Sequence, residues 1–123
     1  MLALPNGVRV FVSREATDMR KAFAGLGGIV IDFINEDPQS GHLFVFFNRR
    51  RDRVKILCWD GKGYWLHYKR LESGKFPVFD QASESEASFV LSGSDLLLIL
   101  EGIDLRGASR RNRFCLKEVL NSP

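Results

Sequence analysis

The chain has 123 residues, of which 45% are apolar and 27% charged. That mixture supports one domain around one core and excludes two ordinary domains or disorder throughout. The net charge is only +3, and the longest apolar run falls well short of the roughly 18 residues a membrane helix needs.

The charge is nevertheless segregated. Residues 49–75 hold nine basic and three acidic side chains, net +6, and residues 76–105 hold six acidic and none basic, net −6. Residues 1–48 are nearly balanced, and residues 106–123 are again basic, net +4. Residues 1–5 lack the basic region and apolar stretch of a secretory signal. Cys58 and Cys115 are too few for a disulfide framework, so they read as reduced thiols in a cytoplasmic protein.

In chain order, Val8–Val12 is β-branched and follows the turn signal Pro5-Asn6-Gly7, which predicts a strand. Thr17 or Asp18 is positioned to cap a helix over residues 18–34, whose apolar face is Met19, Ala22, Phe23, Leu26, Val30, Phe33 and Ile34. Gly25, Gly27 and Gly28 interrupt that helix at about 1 kcal/mol each relative to Ala, which suggests a bend or the close approach of a strand. Leu43–Phe47 is apolar throughout and reads as a strand covered on both faces. Asn48–Asp52 is a turn, Arg53–Trp59 a strand, Asp60-Gly61-Lys62-Gly63 a hairpin loop and Tyr64–Arg70 a further strand. Phe76–Phe79 reads as a short edge piece, Asp80–Ser88 as an acidic surface loop, and Phe89–Leu91 as a strand. Ser92 or Ser94 is expected to cap a second helix that ends at Gly102. The expected fold is α+β: an antiparallel meander of four to five strands, one longer helix on a face and a second short helix near the C-terminus. Residues 1–105 form the domain and 106–123 a basic tail.

Strand parity organises the hairpin. With a two- or four-residue loop, Arg53, Lys55, Leu57, Trp59, Tyr64, Leu66 and Tyr68 share one face. Val54, Ile56, Cys58, Trp65, His67 and Lys69 share the other, and this second face is the better candidate for packing on a helix. The first face, with Arg49, Arg50 and Arg51 from the adjoining turn, puts cations beside rings. Arg49, Arg50, Arg51, Arg53 and Lys55, helped by Lys69 and Arg70, are the candidates for contact with DNA phosphates. Trp59, Tyr64 and Tyr68 are the candidates for stacking on bases. The competing reading is a solvated sheet face whose long cations lie over the rings.

No catalytic constellation is legible. The two histidines and two cysteines lack metal-ligand spacing. Ser73-Gly74-Lys75 lacks the upstream glycine of a phosphate loop, and the glycines near Gly27 have no preceding strand to make a dinucleotide fingerprint. The carboxylates do not converge as a metal-dependent nuclease requires. No cofactor or metal is expected, nor enzymatic activity.

Several segments together carry a resemblance. They are Thr17-Asp18-Met19-Arg20-Lys21, Asp37-Pro38 through Ser40–Phe46, Asp52–Leu57, Trp59-Asp60-Gly61, Tyr68–Phe76 and Leu100–Asp104. In this order the chain resembles the small accessory protein encoded by the second open reading frame of a bacterial insertion-sequence family, the transposition protein B type. That family is unrelated to the RNA-guided nuclease of the same label. The resemblance spans about residues 4–105; the tail after Leu105 and Cys58 depart from the usual pattern. It implies a role in DNA transposition beside a larger transposase that carries the catalytic site, and it brings no established active-site residues. The partners it implies are DNA and the element's transposase. A protein adaptor without DNA binding is the rival, and a divergent nuclease a lesser one. The acidic block is expected to meet the basic block within the molecule or in a homodimer.

Overall fold

The computed structural model describes residues 7–77 and 86–102. The expectations for the Val78–Phe79 piece, most of the acidic loop, Asp104, Cys115 and the tail lie outside the described residues. In chain order the elements are β1 (Val10–Ser13), α1 (Phe23–Ile29), a π-helical turn (Val30–Ile34), β2 (Leu43–Phe47), β3 (Arg53–Trp59), β4 (Tyr64–Arg70), β5 (Ser88–Leu91) and α2 (Gly93–Leu100).

The fold is α+β, but the sheet is mixed rather than an antiparallel meander. Its order is β4-β3-β2-β1-β5. β1 runs parallel to β2, and the other neighbours are antiparallel. A parallel pair needs a crossover of a dozen or more residues, and residues 14–42, which hold α1, supply it. β1 therefore lies inside the sheet between β2 and β5, which explains why all four of its residues are buried. All five residues of β2 are buried as expected.

Two apolar layers cover the two faces. On one, Val10, Val12, Val45, Val54 and Ile56 pack with Phe76 and with Leu96 and Ile99 of α2. On the other, Phe11, Phe44, Phe46 and Leu57 pack with Leu26, Val30 and Ile34. Phe44 and Phe46 are fully buried, and truncating such a side chain to alanine typically costs about 3–5 kcal/mol.

The first helix differs most from expectation. It begins at Phe23, not at Thr17 or Asp18, and its α-helical part has seven residues against eight in α2. Residues 17–22 are held as a loop instead. The Thr17 N–H donates to Phe47 O, and Asp18 Oδ1 accepts from the Arg20 N–H. The carbonyls of Met19 and Lys21, which helix propagation would use, accept from Lys55 Nζ. At the far end the wider π turn shifts the buried face to Leu26, Val30 and Ile34 and leaves Phe33 exposed at 62%. Asn35, in the left-handed region at φ 60°, closes it.

No strand presses on the helical glycines. A Cβ at Gly27 or Gly28 would meet nothing within 4 Å, while one at Gly25 would lie 3.2 Å from the Lys21 stem. α2 is capped as expected: Ser92 Oγ accepts from the Asp95 N–H at 3.1 Å, and Gly102 follows the last turn with positive φ.

Candidate nucleic-acid interface

The β3–β4 hairpin has the four-residue loop. Trp59 pairs with Tyr64 and Leu57 with Leu66. Asp60 builds it: Oδ1 accepts from the Lys62 and Gly63 N–H groups, both at 2.9 Å. These bonds, with one from the Trp65 indole, hold the Asp60 carboxyl below the usual carboxylate range. The parity of the faces follows, and both are covered along β3. The face of Leu57, Tyr64 and Leu66 is the one α1 and the π turn cover, while on the opposite face Val54, Ile56 and Cys58 pack toward α2 and Trp65 remains exposed.

Lys55 is the main correction among the expected phosphate contacts. It is only 7% exposed. Its ammonium donates to Met19 O at 2.7 Å and Lys21 O at 2.8 Å and lies 4.8 Å from the centre of the Tyr68 ring. Burial would be prohibitive without such partners. With them, Lys55 joins β3 to the Thr17–Lys21 loop. The two segments that stood apart in the sequence are thus one structural unit.

The other cations gather at the end of the sheet where β2 stops and β3 begins. Asn48 holds this turn through its side chain: Oδ1 accepts from the Asp52 and Arg53 N–H groups, and Nδ2 donates to Asp52 Oδ1. The Asp52 carboxyl is lowered, first by this Asn48 bond. Arg49, Arg50 and Arg51 are exposed on the turn. The loop with Arg20 and Lys21 arrives at the same end through the Thr17–Phe47 bond. So does Lys75, because the Phe76 N–H donates to Arg51 O at 2.6 Å. Arg53 and Arg70 are direct cross-strand partners.

Two features of this corner oppose local stability. Arg51 sits at φ 57°, a left-handed conformation that suits Gly or Asn far better than Arg. The Arg53–Arg70 pair sets like charges opposite one another, which is destabilising. Among the described residues, two acids at this corner make ion pairs in open solvent. Asp18 is bound by Arg20 Nη2 at 2.6 Å, and the Arg20 hydrogen bonds pull its carboxyl down to about 2, yet the Arg20 side chain is 91% exposed. Glu72 makes a 3.2 Å pair with Arg70 in open solvent. Such exposed pairs are worth little and leave the cations available to other anions.

The remaining expected residues have mixed placements. Lys69 Nζ donates to Leu100 O at 2.8 Å, where its charge complements the C-terminal end of α2. Trp59 and Tyr64 are half-buried and meet edge to face at 4.9 Å, with Phe23 beyond Tyr64. Tyr68 is 51% exposed, with its hydroxyl 3.4 Å from Arg53 Nη1. Arg20, Lys21 and Lys75 were hidden from sequence reasoning by the expected helix and by chain distance. Trp65 was hidden by its apolar partners on β3. The signal for it was the polarity of His67 and Lys69, its face-mates on β4.

A groove of about 480 Å³ runs beside this corner, lined in part by Arg14, Thr17, Asp18, Lys21, Phe33 and Glu86. Among the described residues, no three His, Cys, Asp or Glu side chains are grouped to hold a metal ion. No helix among them is long and apolar enough to cross a membrane.

The comparison with known families bears on this arrangement. A family model described as "IS66 Orf2 like protein" matches residues 8–110, from before β1 to beyond α2. The chain belongs to the IS66 Orf2-like family. That family is one of transposition accessory proteins and not a known enzyme family. The chain is 39% identical over 101 residues to uncharacterized protein y4jC of Sinorhizobium fredii (strain NBRC 101917 / NGR234), covering 77% of this chain and 86% of the relative. It is 37% identical over 105 residues to y4hO of the same strain, covering 84% and 89%. No solved structure matches. The matched stretch includes the Thr17–Lys21 loop, the arginine turn and the β3–β4 hairpin.

Proposed function

We propose that this IS66 Orf2-like protein assists transposition by binding DNA through the basic corner. Arg49, Arg50, Arg51, Arg53 and Arg70 contact phosphates, joined by Arg20 and Lys21. Lys55 holds the loop in place and does not reach the DNA. The observation that carries this reading is the cross-strand Arg53–Arg70 pair beside the left-handed Arg51. Both cost local stability, and a polyanion relieves the repulsion.

The test is a gel-shift series with the element's terminal duplex, an unrelated duplex and single strands at two salt concentrations. Phosphate contact predicts binding that weakens steeply with salt. Equal, weak retention at both salts would overturn the reading.

A second reading, docking on the transposase, is favoured by the exposed Phe23, Ile31 and Phe33 on α1 and the π turn. Co-purification with transposase in the presence and absence of DNA separates the two. A complex that forms without DNA and is lost in Ile31→Ser/Phe33→Ser supports the adaptor role.

A further inference from the structure

β4 is an edge strand: among the described strands it pairs only with β3. Trp65 stands on it 58% exposed. An indole left so open is costly in apolar area, yet this one is ordered. Its Nε1 donates to Asp60 Oδ2 at 2.9 Å, and the His67 ring lies 6.1 Å away within 14° of parallel. The orientation is therefore fixed before any partner arrives, which lowers the entropic cost of stacking on it. The neighbours on its face along the strand are His67 and Lys69, both polar, so the ring is not part of an aliphatic docking patch. Five residues further on is Arg70, about 17 Å away at strand spacing and within the basic corner; it points to the opposite face of β4, so a strand that reaches both follows the open edge of the sheet.

We infer that Trp65, with His67 beside it, is a stacking site for unpaired nucleobases, so that single-stranded DNA runs along β4 from the basic corner. This deepens the DNA reading above and rests on it. Bases within a duplex are already stacked on one another, whereas an unpaired base has a free face, and stacking is tolerant of sequence. Two separated elements then divide the work: cations at one end of β4 hold the backbone, and rings toward the other end choose strands that are unpaired.

The test uses the full chain, an oligothymidylate and a hairpin duplex of matched length, with Trp65→Ala, Trp65→Phe and an Arg49→Gln/Arg50→Gln/Arg51→Gln variant. Single strand is expected to quench tryptophan fluorescence in the wild type. Trp65→Ala is expected to lower single-strand affinity by about 5- to 150-fold and leave duplex affinity unchanged. Trp65→Phe should retain most affinity but lose the quench, since Trp59 is then the remaining tryptophan. The arginine variant should weaken both DNA forms. Single-strand affinity that is indifferent to Trp65→Ala, or saturable binding without quenching, overturns the stacking site while duplex binding stands. Failure of the wild type to bind either form overturns the stacking site and the basic corner together.

Discussion

Lys55 and the arginines of the Asn48–Arg53 turn belong to one basic block in the sequence, yet the fold gives them opposite tasks. Lys55 is buried, its ammonium on two carbonyls 34 and 36 residues away in sequence. Arg49 and Arg50 are exposed on a turn that Asn48 and backbone bonds hold. The difference teaches that a run of positive charge is not one surface. A cation facing a covering loop becomes an internal tie, and one on a turn fixed by other groups stays available to a partner.

Four substitutions sharpen or break that contrast. Lys55→Met should be the most destabilising, by about 2–3 kcal/mol, because two hydrogen bonds from a charged donor disappear and two carbonyls lose their partner. Urea denaturation measures it, and faster proteolysis within residues 17–22 should accompany it. Stability within about 0.5 kcal/mol of wild type, the ordinary range for a surface change, would mean that Lys55 is not a tie. Asn48→Ala comes next, at about 1–2 kcal/mol, since two backbone N–H groups lose their acceptor. It should weaken DNA binding as well, through a loosened turn.

Arg51→Gly should act in the opposite sense. At φ 57° glycine relieves strain, so thermal unfolding should show a gain of about 0.5–1 kcal/mol while DNA affinity falls. A loss of stability would show that the Arg51 side chain serves the fold. Smallest in stability is Arg49→Gln/Arg50→Gln/Arg51→Gln, expected within about 0.5 kcal/mol of wild type.

Much of this was legible in the sequence, for identifiable reasons. β2, β3, β4 and the hairpin were readable because continuous or alternating apolar positions and the Asp60-Gly61 loop are local signals. The mixed sheet was not, because the partner of β1 is set by a crossover, and no local pattern distinguishes β1 beside β2 from β1 at an edge. The helix over 18–34 was misread because the bonds that keep Thr17–Lys21 out of it come from Phe47 and Lys55. The site was legible in part. The arginine turn was visible as a charge run, but how far each face of the hairpin is covered depends on where α1, its preceding loop and α2 land. Their placement buries Lys55, half-buries Trp59 and Tyr64, and leaves Trp65 in the open.

The most direct test of the division between tie and contact is the salt dependence of affinity for a duplex, measured for the wild type and the triple arginine variant. If Arg49, Arg50 and Arg51 each neutralise a phosphate, the slope of log affinity against log salt should flatten by about 2.7, with unfolding unchanged. An unchanged slope would contradict it.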